Sequence, residues 1–348
     1  MKKNLLALSL SLGGVLLCAG GAHAQSSVEV SGLVDVFAGS IKNSGDAGRK
    51  SVVDSGGLTT SWFGFKGTED LGGGLKAGFL LTSFLRVDTG SPGRFNPDPF
   101  FSRDANVSLS GGFGSVALGR GMAPNFLPTI LLNPFGDSFT VSPLVLHANM
   151  STAGWPAGNL TTPADTGWSN QITYTTPSFG GLKANLHYQF GEQAGNSGKS
   201  NIGLNVMYFG GPLTLMGFYE RADISNPVPP NSLMNRKSDW MLGGAYDFGM
   251  AKAYLTYGQA KVDATDFTGK TFSLGAEVPV LNKAGAIKAA MARTKATTGP
   301  GEATRTTASL GYDHFLSKRT DVYAVGMYDK VTDLSSGTSF VVGIRHRF

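Results

Sequence analysis

Apolar and polar residues alternate with a period of two along nearly the whole chain, and no other feature restricts its fold so tightly. In Val28-Glu29-Val30-Ser31-Gly32-Leu33-Val34-Asp35-Val36, the four valines share one face, while Glu29, Ser31 and Asp35 share the other. Leu182, Ala184, Leu186, Tyr188 and Phe190 oppose Lys183, Asn185, His187 and Gln189. At the end of the chain Phe340, Val342, Ile344 and Phe348 oppose Ser339, Arg345 and Arg347. Successive side chains of a strand point to opposite sides, so these segments are strands with one apolar and one polar face. A soluble sandwich alternates too. Three features favour a membrane instead. The runs reach roughly ten residues, the length of a tilted membrane strand. Apolar faces often end in an aromatic (Tyr174, Tyr188, Tyr208, Tyr246, Tyr257, Tyr312), as an interfacial girdle requires. Polar faces carry charge in mid-strand, which a wet lumen tolerates and a packed core does not.

The N-terminus is read separately, because a targeting segment does not belong to a fold. Lys2 and Lys3 precede an apolar run from Leu5 to Leu17, too short for a stable membrane helix. Ala22-His23-Ala24 then offers small residues at a signal-peptidase site. Residues 1–24 are therefore expected to be a cleaved signal peptide, leaving 25–348 as a single domain. Leu17 before Cys18 does not suit a lipoprotein signal. Cys18 is the only cysteine, so the exported chain needs neither disulfides nor a thiol metal site. The chain has 49 glycines and, after the signal, no apolar run long enough for a membrane helix, as in a barrel whose strands hide their hydrophobicity by alternation. A net charge of +5 that includes Lys2 and Lys3 is too small and scattered to argue for nucleic acid.

Turn signals come in two alternating kinds. Short ones lie at Asp70 to Gly74, Gly111 to Gly114, Phe179 to Gly181, Gly210 to Pro212, Phe248 to Met250 and Leu316 to Lys318. Long ones include Ile41 to Gly57, Gly121 to Trp168, Asp223 to Arg236 and Ala296 to Ala303. Short turns on one rim and long loops on the other is barrel asymmetry. The alternating runs number sixteen, beginning near Val28, Leu58, Leu75, Asp104, Ser115, Trp168, Leu182, Ser200, Leu213, Lys237, Ala251, Thr268, Ala286, Thr304, Arg319 and Gly337. The expected fold is all-β, a 16-stranded antiparallel transmembrane β-barrel.

At this point the chain resembles a known family. The stretches are Gly64-Phe65-Lys66-Gly67-Thr68-Glu69-Asp70-Leu71-Gly72-Gly73-Gly74-Leu75-Lys76-Ala77, Val107 to Ser110 through Phe113-Gly114 to Leu118-Gly119-Arg120, Asn170 to Pro177, Leu316 to Thr320, and the ending Gly343 to Phe348. In this order they resemble the general porins of Gram-negative bacteria, of the beta-proteobacterial trimeric type, over the whole exported chain. The resemblance implies a homotrimer in the outer membrane, among lipid that includes lipopolysaccharide. It implies an inward-folded third loop, mapped onto Gly121 to Trp168, facing a basic wall. It also implies that Phe348 is recognised by the barrel-assembly machinery. Where the family usually carries arginine on the lumen face of strand two, this chain has Trp62, and Gly167 stands at another such position. The third loop is unusually apolar (Phe126, Leu127, Ile130, Leu131, Leu132, Phe135, Phe139, Leu144, Val145, Leu146), and Asp137 and Asp165 are its only acids.

By alternation Lys66, Lys76, Arg86 and Lys183 face the lumen. Arg103 and Arg120 fall near the family's basic wall, although simple parity turns Arg103 outward unless a bulge intervenes. The candidate constriction set is Trp62, Arg86, Arg103, Arg120 and Asp137, each set against an ordinary solvated charge or, for Trp62, a packing residue under loop three. The expected function is passive diffusion of small hydrophilic solutes and ions with weak anion preference, with no catalytic residue, cofactor or metal. The alternatives are a substrate-specific channel with an aromatic or apolar constriction and an outer-membrane hydrolase. The latter needs a nucleophile, base and orienter, and none of His147, His187, His314 or His346 sits in such a signature.

Overall fold

The computed structural model describes residues 27–150, 163–192, 194, 199–226 and 233–348. The expected signal peptide, residues 1–24, lies outside them. Sixteen strands form one closed antiparallel barrel: β1 (Ser27–Ile41), β2 (Trp62–Gly72), β3 (Leu75–Arg86), β4 (Asp104–Gly111), β5 (Gly114–Met122), β6 (Gly167–Thr175), β7 (Leu182–Phe190), β8 (Ser200–Gly210), β9 (Leu213–Ile224), β10 (Leu233–Asp247), β11 (Lys252–Val262), β12 (Phe267–Val280), β13 (Gly285–Thr298), β14 (Gly301–Phe315), β15 (Thr320–Val331) and β16 (Gly337–Arg347). Each pairs with the next, and β1 pairs with β16 from Leu33↔Arg347 to Ser40↔Phe340 to close the ring. Two short strands are appended. Lys50–Ser55 pairs with the upper part of β1, and Ser91–Pro92 with the end of β3.

Alternation sorts the two faces as expected. On β1, Leu33, Asp35 and Phe37 are buried inside while Val28 and Val30 are exposed outside. On β16, Val341 and Arg345 are buried and Phe340, Val342 and Ile344 exposed. The outer wall is thus an apolar surface suited to hydrocarbon.

Two loops differ from expectation. Ala296 to Ala303 is not a long loop. β13 and β14 stay paired to Thr298↔Gly301, leaving only Gly299 and Pro300 at the tip, with Gly299 at φ +52°. Ile41 to Gly57 is largely a hairpin extension, since Ile41 pairs with Lys50. Loop three, residues 123–166, contains two short helices, α1 (Phe126–Leu131) and α2 (Pro143–Asn149).

Loop three lies against inward-facing side chains of the barrel. Leu132 and Leu144 pack with Met207, Met216, Phe218, Met241 and Tyr254. Phe135 and Val141 pack with Phe37, Leu58, Tyr323 and Val325. The lumen wall is therefore polar in part only, and an apolar loop meets an apolar stretch of it. Burial of each large side chain there stabilises the seat by about 1.5–3 kcal/mol.

The wall also makes room by omission. Gly203, Gly243, Gly275 and Gly311 occupy inward positions on β8, β10, β12 and β14. A Cβ on them would come within 2.6 Å of Pro124, 2.9 Å of Leu132, 2.6 Å of Pro134 and 3.1 Å of Phe135, respectively. Four alternate strands thus leave a shallow trough for the loop.

Gly275→Leu should therefore unseat loop three, at an overpacking cost of about 1–3 kcal/mol. The expected result in planar bilayers is a larger, noisier single-channel conductance from a barrel that still shifts normally on heating in gels. Unchanged conductance would show that the trough does not hold the loop.

Candidate pore constriction

Asp35 is the joint between barrel and loop. Its carboxylate accepts backbone N–H bonds from Gly57 (3.1 Å), Leu58 (2.9 Å) and Thr59 (2.8 Å), and a hydroxyl bond from Tyr323. This nest of donors pins residues 56–61 against the lumen side of β1. The Ser138 hydroxyl then donates to the Gly57 carbonyl (2.6 Å) and Thr140 to that of Gly56 (3.0 Å), anchoring one end of loop three. Across the lumen, Ser309 donates to the Val141 carbonyl (2.7 Å) and Asn205 to that of Pro124 (3.0 Å). Both ring nitrogens of His147 meet threonine hydroxyls, Thr294 at 2.7 Å and Thr307 at 2.8 Å. Burial, aided by the nearby Arg305 cation and opposed by Asp329, holds the His147 pKa well below its usual range. It is a neutral clamp for α2.

Asp137, on the same loop, is half-buried. Burial pushes its pKa up to about 6, against the opposing pull of a Thr59 hydrogen bond and the cations Arg103 and Arg345. Thr59 in turn accepts from Arg345 Nη1 (2.8 Å). The Arg103 guanidinium lies 4.2 Å from the centre of the Trp62 ring and 3.3 Å from Asp104. Asp137 thus shares one group with Thr59, Arg103 and Arg345, and Arg103 links that group to Trp62. Arg103 escapes parity because it precedes the β3–β4 ladder, which begins at Thr82↔Asp104.

Arg120 reaches the lumen through a bulge. Leu118 faces outward, and regular alternation would send Arg120 the same way. The β5–β6 register slips between Gly119 and Gly121, with Gly119 at φ +129°. Arg120 is buried, donating to the carbonyls of Ser102 (2.6 Å) and Gly167 (3.2 Å) and to Ser169 Oγ (2.9 Å). A Cβ on Gly167 would lie 3.1 Å from the Arg120 Nη2, so the glycine there leaves room for this guanidinium. Arg86 stands apart from this group, its guanidinium bound to Asn96 (2.7 Å) in loop two.

Two participants had weak signals in the sequence. Arg345 stood on the polar face of the last strand without a visible partner; its acids, Asp313 (3.5 Å) and Asp321 (3.0 Å), come from β14 and β15. Arg94 in loop two pairs with Asp98 (2.9 Å), stacks on Phe84 and bonds Thr166 (3.2 Å), tying loop two to the end of loop three. Six of the ten apolar loop-three residues, Phe126, Leu132, Phe135, Leu144, Val145 and Leu146, are buried, Leu127 packs beside Leu132 and Leu144, and Leu131 is the one left exposed.

A narrow passage with an acid on the loop and cations on the wall selects ions by its transverse field. Residues 7–334 match the Gram-negative porin family model. The chain belongs to that family. It is 33% identical to outer membrane porin protein 32 of Delftia acidovorans and 27% identical to an outer membrane porin protein of Bordetella pertussis, each over the full length of both chains. Among solved structures it is similar to the anion-selective porin from Comamonas acidovorans, at 30% identity and TM-score 0.77, covering 93% of this chain and all of that one. The fold and the family place this porin in the outer membrane as a multi-pass barrel, not as an enzyme.

Protonating Asp137 removes the negative side of the field. As pH falls through about 6, anion preference should rise, and Asp137→Asn should show the low-pH behaviour at every pH. Reversal potentials measured from pH 5 to pH 8 check this; a wild-type potential flat across that range would contradict it.

Proposed function

We propose that the chain is a passive channel for small hydrophilic solutes and ions with weak anion preference, and that Trp62, Arg103, Arg120 and Asp137, joined by Arg345, form its constriction. The observation that carries this reading is the balance of charge in the lumen. Most lumen cations have a buried acid beside them: Arg305 has Asp329 (2.9 Å), Lys288 has Asp313 (3.0 Å), Arg345 has Asp321, and Lys237 has Asp239 (3.2 Å). Each such pair contributes a dipole rather than a net charge. Arg103 has Asp104 (3.3 Å) in the same way, which leaves Arg120 as the less compensated cation of the group, with Asp137 opposite in sign. That supports a preference for anions that is present but modest. Because the Trp62 ring is covered by Arg103, it offers passing solutes little free aromatic surface, which favours a general pore over an aromatic-specific one.

The same reading assigns Arg86 to the loop-two entrance. It takes residues 1–24 as removed on export and the assembly as a homotrimer. It gives Phe348 the role of the strand end read by the barrel-assembly machinery. The contacts of Phe348 suit that role: its N–H donates to the Gly32 carbonyl (3.0 Å), its carbonyl accepts from the Gly32 N–H (3.1 Å), and its ring covers Gly32. The last residue thereby joins the ladder that closes the barrel.

Trp62→Arg tests the constriction. The added charge attracts an anion about 4 Å away by about 1 kcal/mol in water and repels a cation by as much, so the anion-to-cation permeability ratio should rise about thirtyfold. Measured as the reversal potential across a steep KCl gradient, an unchanged ratio would remove Trp62 from the constriction. A wild type already strongly anion-selective would overturn the weak preference.

A further inference from the structure

Behind α2, loop three and the barrel wall do not close completely. A cavity of about 40 Å³ lies between Leu144 and His147 on one side and β10, β11 and β12 on the other. Gly258, Ala260 and Gly269 leave the space, and Phe218 and Phe267 flank it. Such a volume holds about three waters. Three polar side chains reach it from three strands. Register places Asp239 of β10, Thr271 of β12 and Thr256 of β11 on three successive lumen rows. Asp239 is level with Ala260, Thr271 with Gly258, and Thr256 with Ser273. The Thr256 hydroxyl is buried without a hydrogen-bond partner among the described residues, which points to an occupant of the cavity.

The order of protons beside the cavity is set from its far end. Asp329 accepts from Arg305 (2.9 Å) and from the Thr307 hydroxyl (2.5 Å), which uses the single Thr307 proton. His147 therefore donates from Nε2 to Thr307 and, being neutral, accepts at Nδ1 from Thr294. Thr294 in turn accepts from Thr271 (2.7 Å). The Thr271 oxygen is left with only lone pairs to offer the cavity. The Asp239 carboxylate is an acceptor too. Lys237 lies 3.2 Å from it and 3.8 Å from Glu220, so one cation is shared by two acids. The cavity thus presents acceptors and an excess of negative charge, and its occupant has to bring donors and a positive charge. We infer that it binds a small planar cation of the guanidinium type, whose donors point to several sides of one plane and meet Thr271, Thr256 and Asp239. Water would meet the same acceptors but leave the excess charge uncompensated. The site lies behind loop three, apart from Asp137, and goes beyond the pore reading.

The test is calorimetric titration of the detergent-folded barrel with guanidinium chloride at millimolar concentration. Urea, which has the donors without the charge, and tetramethylammonium, which has the charge without the donors, are titrated beside it. Guanidinium should bind about tenfold more tightly than either. Thr271→Val keeps the shape and removes the acceptor, and should weaken guanidinium about tenfold, as loss of a hydrogen bond to a charged group does. Asp239→Asn should weaken guanidinium more than urea. If that variant does not fold, Thr256→Val replaces it and should also weaken guanidinium. Equal binding of urea and guanidinium, or undiminished binding by Thr271→Val, would overturn the proposal. So would no heat of binding from any of the three, which leaves the cavity to water alone. A wild type that binds guanidinium yet passes no ions would support the site and count against the pore reading.

Discussion

A strand in hydrocarbon has no water to satisfy its backbone, so every N–H and C=O must find a partner inside the sheet. That requirement leaves no free edge, and the β1–β16 ladder is what removes it. The consequences reach into single residues. Phe348 has to continue the ladder to its last atom, and Gly32 has to lack a side chain so that the aromatic ring can lie over it. Period-two alternation then does the rest, sending valines and aromatics to lipid and charges to the lumen.

Closing the ring creates a second problem, a lumen wide enough to be a hole. The chain solves it with loop three, which bridges the Asp35 joint on one side and the β8–β14 wall on the other. The loop is held by three kinds of interaction: apolar packing, hydroxyl and amide bonds to loop carbonyls, and the trough left by inward glycines. Because these act on different parts of the loop, it behaves as part of the wall. Asp137 is thereby fixed opposite Arg103 and Arg345, where a mobile loop would average its charge over the lumen. Buried ion pairs are weak evidence for stability; under the proposed reading their effect here is to quieten the field so that a few residues decide it.

Much of this was legible in the sequence because alternation is local. All sixteen strands were visible from residue patterns, with starts such as Lys237 and Thr304 a few residues inside the observed Leu233 and Gly301. Ala296 to Ala303 was misread because Thr297-Thr298-Gly299-Pro300-Gly301 has loop composition, yet pairing carries both strands to the tip. The lumen charges were harder. Arg120 faces inward because of one register slip at Gly119, and Arg103 because it sits just outside its ladder; alternation foresees neither. Arg345 gains meaning only from Asp313 and Asp321 on other strands. The destination of the apolar loop side chains was hidden too, because the glycines and methionines that receive them are scattered over strands far apart in sequence.

The central claim is that loop three, at Asp137, is the narrowest part of an open pore. Cys18 is the only cysteine in the chain and lies outside residues 25–348, so Asp137→Cys gives a barrel of those residues a single thiol as target. A bulky thiol reagent added during single-channel recording should lower the conductance in discrete steps, and a positively charged reagent should also raise anion preference. If the residue is labelled while conductance and reversal potential stay as they were, ions pass elsewhere and loop three does not form the constriction.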